Sequence, residues 1–396
     1  MTGAHAAVPR GEPVADHGAH ARRWLAANLP EVMRTDIVLA KPPTLDDFRA
    51  WERAMYEAGL VGITWPKEVG GYGLGLREHL AVSREIGRTS MQESVNSIGK
   101  ELAGPIIMAI GTEAQKQRYL PAILELRDIW CQGFSEPDAG SDLAGLRTRA
   151  RRSGEDWIID GQKIWTSGAA KSQRCLLLAR TGSVEDRHRG LVLFAVDMTA
   201  PGVTVREIRS MDGRNSFAEV FFDGVQVPAT DMLGAPDEGW AAATRVLSIE
   251  RATNRMHRAW RFEAELAHLV AACQADPVTR PLLATYKRRL ADCAIDIELL
   301  KGHVETLVGS LAAGSQIGPK GSFPKLFWSE AHQRFATLAL EIVSQFALDA
   351  SPELRALKAR MEDVYLKGRA ETIFAGTTEI QLDIIARRIL MLGRGD

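Results

Sequence analysis

A chain of 396 residues that is 45% hydrophobic and 25% charged has the makeup of a globular protein with enough apolar material for several packed subdomains. Its 49 basic and 50 acidic residues leave a formal net charge of -1, which argues against the basic footprint of a nucleic-acid or anionic-membrane binder. Cys131, Cys175, Cys273 and Cys293 stand far apart with no Cys-x-x-Cys pair, so neither a metal site nor a disulfide framework is implied, and a small molecule becomes the expected ligand.

Residues 1–20 hold His5, His17 and His20 among Ala, Gly and Pro, without the apolar run of a signal peptide. They read as a mobile arm, and a cytoplasmic protein with no membrane span is expected. From Ala21 to Asp128 the pattern is helical. Thr44 is a candidate N-cap entering Phe48 to Ala58, and Thr112 with Gln115 three residues on spells a capping box for a short helix to about Tyr119. Gly70 to Gly75 is glycine-rich but lacks the dinucleotide fingerprint and the lysine of a P-loop, so it reads as a loop before a helix at Arg77 to Ile86.

After Trp130 the pattern changes. Trp157-Ile158-Ile159, Cys175 to Leu178, Leu191 to Phe194, Val203 to Val205 and Val220 to Phe222 are short β-rich runs, with Asp160-Gly161 and Asp223-Gly224 as hairpin turn signals. From Gly239 helical periodicity returns, broken at Asp276-Pro277, Gly314 to Phe323 and Ser351-Pro352. The expected fold is α+β, mainly α: an N-terminal helical domain (21–128), a central antiparallel β domain (129–235) and a C-terminal helical bundle (236–396).

Two blocks carry chemistry. Phe134-Ser135-Glu136-Pro137-Asp138-Ala139-Gly140-Ser141-Asp142 and Gly161-Gln162-Lys163-Ile164-Trp165-Thr166-Ser167-Gly168 resemble the signature blocks of the acyl-CoA dehydrogenase superfamily. Gly111 to Pro121 is similar to the approach to the first block, Ile373 to Gln381 to the closing motif, and the similarity runs from about Leu60 to Leu392. The resemblance implies FAD, with Gln132, Phe134, Ser135, Gly140, Ser141, Trp165, Thr166, Ser167, Thr377 and Glu379 at the cofactor. It also implies Ser141, Arg251 and Gly376 at an acyl thioester. A loop offering main-chain N–H groups and a hydroxyl, with an indole to pack on a ring, suits a flavin.

Oxidation of a thioester between its α and β carbons needs a carboxylate to take the α proton. Many family members carry it just before the Gly-Thr of the closing motif, where this chain has Ala375. A smaller branch, including isovaleryl-CoA dehydrogenase, uses an earlier Glu-Arg pair that Glu250-Arg251 resembles. At 100° per residue Glu250 falls on the apolar stripe of Trp240, Ala243, Val246 and Leu247, where partial desolvation raises a carboxyl's pKa toward that of a useful base. The alternative is a Glu250 that pairs with Arg251 or Arg255.

The family's Arg-x-x-Phe-Gly diphosphate motif is not evident near Asp276 to Leu290, where Arg280 is a weak substitute, and Phe346 to Ala350 replaces a glycine-rich motif. These departures, with Pro319 to Glu330, resemble a bacterial subset, some of whose members assemble from unlike subunits. The expected activity is therefore FAD-dependent acyl-CoA dehydrogenation with electron-transfer flavoprotein as oxidant, in a homotetramer or homodimer. A non-catalytic partner in a mixed assembly and a flavin-dependent monooxygenase are the alternatives. Asn254 and His257, stepped along the same helix, return near Glu250, which predicts a short, branched or polar acyl group; the other reading has them bonding to neighbouring helices. The residues leave CoA and a carrier protein open as the thioester's carrier.

Overall fold

The structure is a computed structural model that describes residues 16–37, 41–236, 238–252 and 256–393. In chain order it contains α1 (His17–Asn28), α2 (Leu45–Glu57), α3 (Leu76–Arg88), α4 (Gly104–Ile110) and α5 (Glu113–Leu124). The strands follow: β1 (Trp130–Gly133), β2 (Arg149–Ser153), β3 (Asp156–Lys163), β4 (Arg174–Arg180), β5 (Leu191–Asp197), β6 (Val203–Ile208), β7 (Phe217–Val227) and β8 (Met232–Leu233). Then come α6 (Gly239–Ala252), α7 (Arg258–Ala275), α8 (Arg280–Thr285), α9 (Lys287–Ala312), α10 (Ser322–Val343), α11 (Pro352–Gly368) and α12 (Thr378–Arg388). The helical, β, helical order is the expected one. Residues 16–20, expected within a mobile arm, are instead ordered: Asp16 accepts from the Ala19 amide at 2.9 Å and starts α1, which takes in His17 and His20; the rest of the expected arm, His5 included, lies outside the described residues.

The chain forms two compact units. The helical unit comprises residues 1–64, 72–93 and 251–396. The capping box at Thr44 is present, with Asp47 as the returning side chain. Trp24 of α1 stacks on Trp51 of α2 at 5.2 Å, inside a cluster that includes Leu25, Met33 and Val82. Helices α7, α9, α10 and α11 bury a second cluster around Phe262, Ile297, Phe335, Ile342 and Leu357. Every one of these is at most 2% exposed, so truncating one to alanine costs about 2–5 kcal/mol. The breaks predicted at Asp276-Pro277, 314–323 and Ser351-Pro352 fall between α7 and α8, α9 and α10, and before α11, where the Ser351 hydroxyl caps the helix.

The β unit comprises residues 65–71 and 94–250. Its sheet runs β6-β7-β3-β2-β4-β5-β8, mostly antiparallel, with β1 pairing parallel to β4 and β2 touching β4 in parallel at Arg149 and Arg180. β4 and β5 are apolar on both faces, which places them at the centre of the sheet's core with Cys131, Val220 and Val225. The capping box at Thr112 is observed, and α5 runs on to Leu124. Gln115 serves twice: its Oε1 accepts from the Thr112 amide, while its Nε2 donates to the carbonyls of Thr230 (2.8 Å) and Met232 (2.7 Å), fixing α5 against β8.

The two Asp-Gly pairs are not hairpin turns. Both lie inside long strands, β3 and β7, whose register shifts between Ile159 and Gly161, and the Asp160 carboxylate accepts from the Gly224 amide at 2.8 Å. Glycine in a strand interior marks a bulge, and here a Cβ on Gly161 would lie 2.5 Å from Thr148 Oγ1. The turn between β2 and β3 sits instead at Gly154, φ 63°.

Candidate active site

Two loops at the ends of β1 and β3 hold the β-unit residues expected to meet a cofactor. β1 delivers half-buried Gln132, after which Phe134 turns inward, 5% exposed. Glu136 and Ala139 exchange main-chain hydrogen bonds at 3.0 and 3.1 Å, and the tight turn leaves Gly140 and Ser141 exposed. The hub is the Glu136 side chain. One of its oxygens accepts from Lys163 Nζ at 2.8 Å and the Thr148 amide at 2.9 Å, and the other from the Arg147 amide at 2.6 Å.

Lys163, fully buried at the end of β3, also donates to the Phe134 carbonyl at 3.0 Å, and the Ile164 amide donates to the Ser135 carbonyl at 2.9 Å. The block at 134–142 is thereby tied to the block at 161–168. Burial pushes the Glu136 carboxyl up, but the Lys163 ammonium and the main-chain donors overcome it and leave it below its ordinary value. Burial pulls the Lys163 ammonium down, against the opposing pull of Glu136. Neither Glu136 nor Lys163 stood out in the sequence by charge pattern, although each sits inside a recognisable block.

Trp165 follows with φ 58°, a conformation that costs a non-glycine residue about 1–2 kcal/mol. Its indole is 58% exposed and meets Phe217 edge-on at 6.0 Å. Thr166 is held by a reciprocal pair of 3.1 Å main-chain bonds with Ala218, and its hydroxyl is buried with no hydrogen-bond partner among the described residues. Ser167 is exposed. Added Cβ atoms at Gly140 and Gly168 would meet nothing within 4 Å, so the loops border open space.

The helical unit holds the closing segment. Ala375 and Gly376 are both left-handed, φ 56° and 89°, and Thr377 then caps α12 by accepting from the Ile380 amide at 3.3 Å. Buried Gln381 reaches back to the carbonyls of Ala375 (2.9 Å) and Gly376 (3.1 Å). A Cβ on Gly376 would lie 2.5 Å from that amide nitrogen, which would have to swing away, and the left-handed φ itself strains any other residue there. Glu379 is exposed in the first turn, where main-chain hydrogen bonding and the Thr377 hydroxyl lower its pKa.

Helix α10 grips this segment. Thr378 Oγ1 donates to Glu330 at 2.9 Å, and Gln333 Nε2 donates to the Gly368 carbonyl (2.8 Å) and Thr372 Oγ1 (3.1 Å). His332 lies between Glu371 at 2.7 Å and Glu265 at 3.0 Å, with Arg360 3.6 Å from Glu265. Burial pulls the imidazole's pKa down, but the two carboxylates outweigh it and raise it to about 10. Nothing in the sequence marked this buried chain of charges, because its members come from α7, α10, α11 and the turn after it.

Glu250 belongs to the last turn of α6; its side chain and those of Arg251 and Val246 lie outside the described residues, as do Asn254 and Arg255 altogether. Of the proposed stripe, Ala243 is fully buried, Leu247 is half-buried, and Trp240 is half-buried with its ring 4.3 Å from His188. The helix does not continue through His257. α6 ends at Ala252, Met256 and His257 form a turn, and α7 starts at Arg258, so 100° steps cannot be carried from Glu250 to His257. Arg280, the weak substitute for the diphosphate motif, donates from Nε to the Gln274 carbonyl at 2.9 Å.

Among the described residues no helix is long and apolar enough to cross a membrane. Three family models match in chain order: acyl-CoA dehydrogenase N-terminal domain over residues 19–127, middle domain over 131–225 and C-terminal domain over 237–390. Acyl-CoA dehydrogenase IpdE1 of Mycobacterium tuberculosis (strain ATCC 25618 / H37Rv) is 35% identical across 97% of this chain and 99% of its own length. IpdE1 of Mycolicibacterium smegmatis is 33% identical across 96% and 98%. Among solved structures, the Tcur3481-Tcur3483 steroid ACAD superposes with a TM-score of 0.82 at 25% identity, covering 98% of this chain and 100% of that one. The ChsE4-ChsE5 complex from Mycobacterium tuberculosis gives 0.78 at 26% identity, with 98% and 100% covered. With all three domain models matched and a relative of 35% identity along nearly its whole length, the chain belongs to the acyl-CoA dehydrogenase family.

Proposed function

We propose that the protein binds FAD and oxidises an acyl-CoA between its α and β carbons, with Glu250 as the base. The observation that carries this reading is the joining of the two signature blocks by Glu136 and Lys163, which leaves Gly140, Ser141, Trp165 and Ser167 exposed beside open space. An exposed indole on strained backbone fits a flat aromatic partner. When bound, FAD supplies the hydride acceptor. Gln132, Phe134, Ser135, Gly140, Ser141, Trp165, Thr166 and Ser167 would hold it, and Thr377 and Glu379 carry the same expectation from the closing motif.

Glu250 takes the α proton onto its carboxylate, Ala375 having no titratable group with which to do so. Ser141, Arg251 and Gly376 orient the thioester, and electron-transfer flavoprotein is the oxidant. The substrate is a short, branched or polar acyl-CoA. His257 lies beyond the end of α6, so helix stepping from Glu250 does not support this class; the polar setting of His257 beside Glu93 does.

A second reading, in which the chain works as one of two unlike subunits, is favoured by Ala375 and by neighbours named as pairs, ChsE4-ChsE5 and Tcur3481-Tcur3483. Purifying the chain alone separates the two. Stoichiometric FAD that short or polar acyl-CoAs bleach under anaerobic conditions supports the first reading, whereas flavin bound only on co-expression with a second chain supports the other. Faster bleaching by palmitoyl-CoA contradicts the substrate class.

A further inference from the structure

Three successive carbonyls of the closing turn end on one residue. Gln381 Nε2 donates to the Ala375 carbonyl at 2.9 Å and the Gly376 carbonyl at 3.1 Å, and the Gln381 main-chain N–H donates to the Thr377 carbonyl at 2.9 Å. Gln381 is fully buried in the first turn of α12, and these bonds use both hydrogens that its side chain can donate. The helix that carries it packs against α10 and the short turn Gly318–Gly321 before it.

A trans peptide sets its C=O and N–H antiparallel, so a carbonyl drawn toward Gln381 turns the following amide away from it. Ala375 and Gly376 reach this arrangement through left-handed φ values of 56° and 89°, a costly pair that persists only where neighbours hold it. The amides so turned are those of Gly376 and Thr377. Both residues are half-buried, and among the described residues neither amide has a hydrogen-bond partner. The amides that follow are spent within the protein: Thr378 donates to the Thr372 carbonyl at 3.1 Å and Ile380 to Thr377 Oγ1 at 3.3 Å. Two adjacent donors are left over, turned away from Gln381. Gln381 Oε1 is buried with no partner among the described residues, so the side chain forgoes a bond of its own in holding this turn.

We propose that Gln381 is a positioning residue, which fixes the closing turn so that the Gly376 and Thr377 amides donate to an oxygen of a bound ligand. The proposal rests on the dehydrogenase reading, which gives Gly376 to the thioester and Thr377 to FAD. A thioester carbonyl and an oxygen of the cofactor share one chemistry, an acceptor with lone pairs, and separate titrations tell them apart. Without the two side-chain donors the left-handed pair relaxes, its peptide planes rotate, and the free amides lose their orientation.

The test uses the full chain in two calorimetric titrations, the FAD-free protein with FAD and the FAD-loaded protein with a panel of butyryl-, isovaleryl-, octanoyl- and palmitoyl-CoA. Gln381→Met keeps the length of the side chain and removes both donors, and at least one of the two affinities is expected to fall by roughly tenfold or more. Gln381→Asn, which keeps the donors one methylene short, should retain part of what Gln381→Met loses. Thr44→Ala removes a helix cap elsewhere in the helical unit, so it lowers stability alone and should leave both affinities unchanged. In the wild-type protein, hydrogen exchange at the Gly376 and Thr377 amides should be fast without ligand and slowed by roughly tenfold or more on adding FAD or an acyl-CoA. Wild-type affinities for both ligands in folded Gln381→Met overturn the proposal. So does exchange at these amides that neither ligand slows, a result that needs no variant to fold. If no thioester bleaches the flavin, the dehydrogenase reading fails on its own, while the FAD titration and the exchange still decide the role of Gln381.

Discussion

The loops of the β unit and the closing segment of the helical unit are both held by buried charge, but in different ways. In the β unit one ion pair, Glu136 with Lys163, is the charged centre of the bonds joining two blocks that lie fewer than thirty residues apart in the chain, beside the Lys163 to Phe134 and Ile164 to Ser135 bonds. In the helical unit the segment around Glu371 to Gln381 is held at several points by Glu330, His332 and Gln333, with Glu265 and Arg360 behind them. The first is a concentrated anchor and the second a distributed one. A concentrated anchor fails at once when one member is lost, whereas a distributed one degrades in steps.

The largest effect is therefore expected at Lys163→Met, which leaves the Glu136 carboxylate buried without its cation and should cost about 3–5 kcal/mol in urea unfolding. The double variant with Glu136→Gln should recover most of that loss; a Lys163→Met cost under about 1 kcal/mol would contradict the concentrated anchor. His332→Gln should cost less, about 2–3 kcal/mol, because Glu330 and Gln333 still hold the segment.

The two anchors also respond to opposite ends of the pH scale. The folded Glu136 pKa is lowered, so its contribution is present above the unfolded carboxyl value near 4.5 and is lost as pH falls through the folded one. The folded His332 pKa is raised to about 10, so its contribution is full below the unfolded value of 6.5 and is lost as pH rises through about 10. Stability profiles should show Glu136→Gln flattening mainly the acid limb and His332→Gln mainly the alkaline limb, with a smaller acid-limb change in His332→Gln because His332 helps lower the Glu265 pKa.

Smaller effects sharpen the comparison at single residues. Ala375→Gly removes left-handed strain and should raise stability by about 0.5–1 kcal/mol after the entropy cost of glycine, measured at the thermal midpoint. Thr166→Val replaces a buried, unpartnered hydroxyl and should change stability by no more than about 1 kcal/mol, toward greater stability. Loss of bound flavin in Thr166→Val would show instead that the hydroxyl meets the cofactor.

What was legible in the sequence was local. Thr44 and Thr112 announced their helices because a cap needs only the next three residues, and the apolar runs of β4 and β5 announced a buried sheet. β2 went unread because Arg149–Ser153 buries only Ala150 and carries three arginines. The bulge was misread as turns because Asp-Gly pairs in two strands meet only after those strands pair. The break after α6 carries no proline or glycine of its own between Glu250 and Arg258, and the turn packs on Gly87, far back in the chain. The signature blocks were legible as motifs, but the Glu136 to Lys163 bond that joins them needed the fold.

The account's central claim is that Glu250 removes the α proton. Glu250→Gln keeps the shape of the side chain and removes its basicity, so the purified variant is to be compared with wild type in anaerobic stopped flow against the best acyl-CoA of the panel. The account predicts the same FAD content and thioester affinity, with flavin bleaching slowed by at least about a hundredfold. Bleaching at the wild-type rate would contradict it and place the base elsewhere.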